Sequence, residues 1–115
     1  MKHIKICGIA VPVRTATEDE DDGLKKAYAY YDIEDGVIVL NKKLPANSDI
    51  SFLTHEVLHA MLSSSGALRV TAATLGIDID KTAGLKRMEL WEELFIRVVT
   101  PHIVETFGGP KVSAR

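Results

Sequence analysis

An α+β domain is the fold class this sequence predicts, from three observations. Segments that are β-branched and alternate between apolar and polar crowd into the first 41 residues. Two long segments with helical start and stop signals follow, at about 49–63 and 85–107. With 115 residues in all, the chain has room for a single domain, spanning 1–115. Composition agrees: 46% hydrophobic and 26% charged residues are what a folded core with a solvated surface requires. A net charge of −2 and a pI near 6.1 argue against a nonspecific nucleic-acid binder or a basic membrane-surface helix. No apolar run approaches the roughly 20 residues needed to span a bilayer, and no signal peptide is expected. Cys7 is the single cysteine and cannot form an internal disulfide, which fits a reducing, cytoplasmic compartment.

The elements follow in order. Residues 3–13 are strand-like, and Gly8 and Pro12 predict a bulge or a turn that splits them into a hairpin. The acidic run 18–22 reads as a solvated loop ending at Gly23. Residues 25–33 and 37–41 read as strands joined by a hairpin turn, signalled by Asp35 and Gly36. Pro45 breaks the following connection, and Asn47 or Ser48 can cap the first helix. Gly66 provides a left-handed stop for that helix. Ala67 to Leu75 suits a short helix stopped by Gly76, and residues 78–84 a loop. The second long helix contains Pro101, which kinks it or starts a separate last turn, and Gly108 and Gly109 stop it. Residues 111–115 read as a frayed tail.

The first long helix carries the chemistry. Residues 55–59 are His-Glu-Val-Leu-His. In a helix, positions i and i+4 share a face about 6 Å apart, so both imidazoles can reach one ion. Glu56 stands about 100° round the helix, beside such an ion, where a base can take a proton from water held there. A scrambled chain of this composition would contain the pattern about 1% of the time, so chance is a poor account of it. Apolar residues (Phe52, Leu53, Val57, Leu58, Ala60, Met61 and Leu62) surround the motif, as in a core helix. Two histidines and a glutamate buried there need partners, and a metal ion serves all three.

A catalytic zinc usually takes three protein ligands and keeps one position open. The second long helix offers Glu89, Glu92 and Glu93. Its apolar stripe is read as Met88, Trp91, Phe95, Val98, Val99 and Ile103, with Ile96 at the border. Glu92 falls inside that stripe and needs an internal partner, so it is the expected third ligand. Glu93 falls towards the polar face with Arg97 and Thr100, and Glu89 lies between. Glu93, Glu89, His3 and Cys7 remain alternatives, although His3 suits an exposed strand end and Cys7 a buried strand. His102 lies about 15 Å along the helix from Glu92, too far to share an ion, and suits packing. The hydroxyls of Tyr28, Tyr30 and Tyr31 are candidate oxyanion donors, but packing is the simpler role. Strand 37–41, nearest in sequence to the motif, is the expected free sheet edge on which an extended peptide would pair.

The pattern resembles the small phage- and prophage-encoded zinc metallopeptidases related to the ImmA/IrrE-like family. Two stretches carry the likeness. One runs from Tyr31 to Met61 and holds the strand Val37-Ile38-Val39-Leu40, Leu44-Pro45 and the His-Glu-Val-Leu-His motif. The other is Glu92-Glu93-Leu94-Phe95-Ile96-Arg97-Val98-Val99-Thr100-Pro101, an acidic pair leading into an apolar helix and a proline. Together they cover about 41 of the 115 residues. The resemblance implies a minimal zincin-like fold: a small twisted antiparallel sheet packed on two main helices, with Zn2+ between them. It implies His55, His59 and one of Glu92 and Glu93 as ligands, and Glu56 as the catalytic glutamate.

The resulting expectation is a zinc-dependent metallopeptidase acting on a peptide or protein, with His55, His59 and Glu92 on the metal and Glu56 as general base. Neither nucleic acid nor membrane is an expected partner. The rival reading is a noncatalytic zinc-stabilised module that binds a partner protein. Glu56 weighs against it, because a purely structural site has no use for a carboxylate beside an open coordination position.

Overall fold

The structure is a computed structural model and describes residues 2–44 and 49–110. The expected helix cap at Asn47 or Ser48, the breaker Pro45 and the tail 111–115 lie outside the described residues. The architecture is α+β. Four strands, β1 (Lys2–Ile6), β2 (Ile9–Ala16), β3 (Ala29–Asp32) and β4 (Val37–Asn41), form one sheet in the order β1-β2-β4-β3. Three helices follow: α1 (Asp49–Ser65), α2 (Ala67–Leu75) and α3 (Thr82–Phe107).

The predicted split near Gly8 is a two-residue hairpin. Ile6 pairs with Ile9, and the loop residues Cys7 and Gly8 both have positive φ, 51° and 81°. That is the backbone whose twist suits a tight antiparallel turn. Cys7 therefore sits exposed in the turn, not buried in a strand. Pro12 is tolerated within β2 because pairing with β4 begins only at Val13.

Two strand expectations are corrected. Residues 25–28 are not strand: a short 3₁₀ turn occupies Asp22–Lys25, and β3 starts at Ala29. Strand β4 is not an edge. It pairs parallel with β2 through Val13–Ile38 to Ala16–Asn41, and antiparallel with β3 on its other side. The free edge near the helices is β3, and the sheet is mixed, not purely antiparallel. A central position explains why Val37 to Leu40 is an unbroken apolar run: both faces of β4 are covered. Ile38 and Leu40 face α1 in the main core with Ile4, Ile6, Val11, Val13, Val57 and Ala60. Val39 faces the other way, onto Ala16 and Leu24. Ile38 has no solvent exposure, so truncation to alanine there costs about 2–5 kcal/mol.

Helix α1 lies against the sheet and α3 lies against α1. Gly66 and Gly76 stop α1 and α2 with φ of 72° and 69°, as their positions predict. Helix α3 starts at Thr82, inside the segment expected to be a loop, and runs through Pro101 to Gly108. Its first turn packs so closely on the preceding loop that a Cβ at Gly84 would collide with the Asp78 carbonyl. No helix among the described residues is long and apolar enough to cross a membrane.

The buried face of α3 differs from the expected stripe. Gly84, Met88, Ile96 and Thr100 are its buried residues, while Phe95 and Val98 are exposed. The true face is thus rotated towards Ile96. Because Glu92 and Glu93 flank Ile96 in helical projection, the rotation turns both of them towards α1.

Candidate metal centre

Helix α1 presents His55, Glu56 and His59, and α3 answers with Glu92 and Glu93. The two imidazoles are tilted 58° to one another, and their Nε2 atoms are 3.2 Å apart. Glu93 reaches both: one carboxylate oxygen lies 3.1 Å from His55 Nε2, the other 3.0 Å from His59 Nε2. Glu92 approaches from behind, with its carboxylate 3.0 Å from His59 Nδ1. The group whose donor atoms converge is therefore His55, His59 and Glu93. Glu92 is the more buried of the pair, with 17% of its side chain exposed against 34% for Glu93, as its phase predicts. Burial and convergence nevertheless select different glutamates. The expected ligand, Glu92, stands on the far nitrogen of His59 instead of on the shared focus.

That placement has a chemical consequence. A carboxylate only accepts, so His59 Nδ1 must carry the proton that it donates to Glu92. In the neutral imidazole this leaves a lone pair on Nε2, aimed at His55 and Glu93. Glu92 thus fixes the His59 tautomer and ring orientation, as carboxylates behind metal-binding histidines do.

The electrostatics fit this arrangement. Burial pulls His59 down, but its hydrogen bond to Glu92 and the charges of Glu56, Glu92 and Glu93 outweigh it and hold its pKa above the ordinary value. For His55, burial prevails over the attraction of Glu93, and its pKa is lowered. Burial also pushes Glu93 up, but His55, Arg97 and His59 together leave it below the usual carboxylate range. Arg97 holds Glu93 at 3.2 Å from one helical turn further on. Glu56 is 94% shielded, with 6% exposed, and burial raises its pKa to about 7, against the pull of His59 and a backbone hydrogen bond from Tyr31.

The donors suit a metal ion by their own chemistry. Zinc bonds of about 2.1 Å in tetrahedral geometry set ligand atoms about 3.4 Å apart. The separations at the focus, 3.0 to 3.2 Å, are close to that. Two imidazoles and one carboxylate are also a donor set that zinc accepts.

The site lines a cleft of about 970 Å³ bounded by β3, α1, α2 and α3, whose apolar lining includes Tyr28, Tyr31, Phe52, Leu68 and Leu85. Tyr30 also reaches the cleft, but its hydroxyl is bound to Asp21 at 2.7 Å, and burial with that bond pushes its pKa up to about 12. Tyr31 packs against the main core, and Tyr28 rests on Phe52. His3 pairs with Pro12 in the β1–β2 ladder, and His102 lines a separate apolar groove with Phe95 and Ile103. Glu89 lines the cleft without joining the convergent group. The sequence does carry a signal for Glu93: Arg97 four residues on fixes it in a helical ion pair.

Comparison with protein-family profiles, curated proteins and solved structures found no match to this chain.

Proposed function

We propose that this chain is a minimal zincin-type metallopeptidase, of the kind its resemblance to the small phage-encoded ImmA/IrrE-like enzymes implies. The observation that carries the reading is the meeting of His55 Nε2, His59 Nε2 and the Glu93 carboxylate, with buried Glu56 beside them. These three side chains would hold the metal, with Glu93 in the role that burial alone assigned to Glu92. A bound zinc supplies Lewis acidity, polarising a carbonyl oxygen and making water a better nucleophile near neutral pH.

The chain's own groups do the rest. Glu56 takes the proton of the attacking water on its carboxylate and passes it to the leaving amine. A carboxyl group whose pKa is about 7 can hold a proton and release it again near neutral pH. Glu92 keeps His59 oriented. The outer edge of β3 borders the same cleft, so an extended peptide can pair its backbone there and lie across the site. Such recognition is largely backbone-directed, and side-chain selectivity follows from the Tyr28 and Phe52 wall.

The test is hydrolysis of an unstructured protein substrate by the zinc-loaded chain, with Glu56→Gln in parallel. Cleavage that disappears on chelation, returns with zinc and is absent from Glu56→Gln is the expected result. Zinc binding without cleavage of any substrate would instead favour the noncatalytic module.

A further inference from the structure

Helix α3 has a second face, turned away from α1, and it is not the polar face that a solvent-facing helix should carry. Leu90, Leu94 and Val98 are 61%, 53% and 65% exposed. Leu94 and Val98 belong to a seam with a seven-residue repeat, and Leu90 flanks it. Arg87, Leu94 and Pro101 form one row and Trp91, Val98 and Glu105 the other, three or four residues from their neighbours. This is the spacing of a coiled-coil contact, continued over about 27 Å of helix. Trp91 is braced in the seam by stacking on Phe95 at 5.4 Å.

The seam matches its own reverse. Leu94 and Val98 lie two residues on either side of Ile96, and Arg87 and Glu105 lie nine on either side. Arg87 and Glu105 are about five helical turns apart, so they project along the same line, and both are exposed. We propose that two copies of this chain associate by packing α3 antiparallel on α3, about a twofold axis that passes midway between Leu94 and Val98 on the exposed face. Leu94 then meets the partner's Val98, and Arg87 meets the partner's Glu105, twice over by symmetry. A parallel pairing would stack Arg87 on the partner's Arg87 and Glu105 on the partner's Glu105, so the end charges select the antiparallel form. A single pair of helix faces buries less than the roughly 800 Å² per partner of a standard interface, so the dimer is weak and concentration-dependent. The metal centre lies on the opposite side of α3, and the cleft stays open in the dimer. The proposal does not depend on the metallopeptidase reading.

Sedimentation velocity over roughly 1–200 μM protein tests it directly. The expected result is a concentration-dependent shift from the 12.6 kDa chain towards twice that mass. Leu94→Glu, at an exposed position with circular dichroism as the check on folding, should leave only monomer. Arg87→Glu should weaken association by about tenfold, because symmetry doubles each modest surface pair. Combining Arg87→Glu with Glu105→Arg should restore it to within about twofold of the wild type. A monomer at every concentration would overturn the proposal. So would a dimer indifferent to Leu94→Glu, or a double charge reversal that fails to recover what Arg87→Glu loses.

Discussion

Two carboxylates in this chain show how differently a fold can treat the same group. Asp21 accepts from Arg14 at 2.6 Å, from the Tyr30 hydroxyl at 2.7 Å and from the Gly23 backbone at 3.0 Å. The Tyr30 hydrogen bond, then that of Arg14, hold its pKa below the ordinary value. Donors and acceptors match there, and nothing further is needed. At the His55 focus the contacts run between two titratable rings and a carboxylate instead. Two Nε2 atoms and a carboxylate point at one another, and Glu56 is buried beside them with a pKa raised to about 7. A cluster of permanently matched donors and acceptors is structural; one in which imidazoles and a carboxylate converge can exchange its protons for a cation.

The strongest way to break this contrast is His59→Ala. Loss of one of the three proposed ligands should cut zinc affinity by more than about 100-fold in equilibrium dialysis, and Asp21→Ala should leave it unchanged.

The next effect is a difference in pH dependence. Glu56 has a raised folded pKa, so its stabilising contribution is complete below 4.5 and is lost as pH rises through about 7. Asp21 has a lowered pKa, so its contribution is present above 3.8 and is lost as pH falls. For the metal-free protein, denaturant titrations should show Glu56→Gln removing a loss on the order of 3 kcal/mol between pH 4.5 and 7. A wild type and Glu56→Gln with parallel pH profiles would refute the burial account of Glu56.

A smaller effect belongs to the closed cluster. Asp21→Ala strands the Tyr30 hydroxyl and the Arg14 guanidinium, and should lower the melting temperature by roughly 5 °C in calorimetry. The smallest expected effect is Glu92→Gln. An amide can still accept from His59 Nδ1, so zinc affinity should fall only about tenfold, well short of Glu93→Ala. The reverse order in dialysis would restore Glu92 as the ligand that burial selects.

What was legible in the sequence is what local periodicity controls. The His-Glu-Val-Leu-His motif lies on a helix as its spacing demands, and Gly66, Gly76 and Gly108 end their helices in left-handed conformations. The place of β4 was not legible, because sheet order is decided by pairing between distant segments. The apolar run at 37–41 suits a central strand, but its closeness in sequence to α1 made an edge attractive. The phase of α3 was misread for a different reason. Val98 and Phe95 counted as core although they are exposed, and that moved the apparent stripe away from Ile96. With the stripe displaced, Glu93 looked polar-facing, although it meets both histidines. A helix with apolar residues on two faces defeats a reading that assumes one.

The convergence of His55, His59 and Glu93 makes them the proposed site for one divalent cation. Zinc titration of the metal-free chain, with stoichiometry and proton release measured together, tests it most directly. The predicted result is one zinc per chain, protons released on binding because the His59 pKa is raised above its ordinary value, and a rise in melting temperature with zinc concentration. Zinc uptake no greater than that of a chain carrying both His55→Ala and His59→Ala would contradict it.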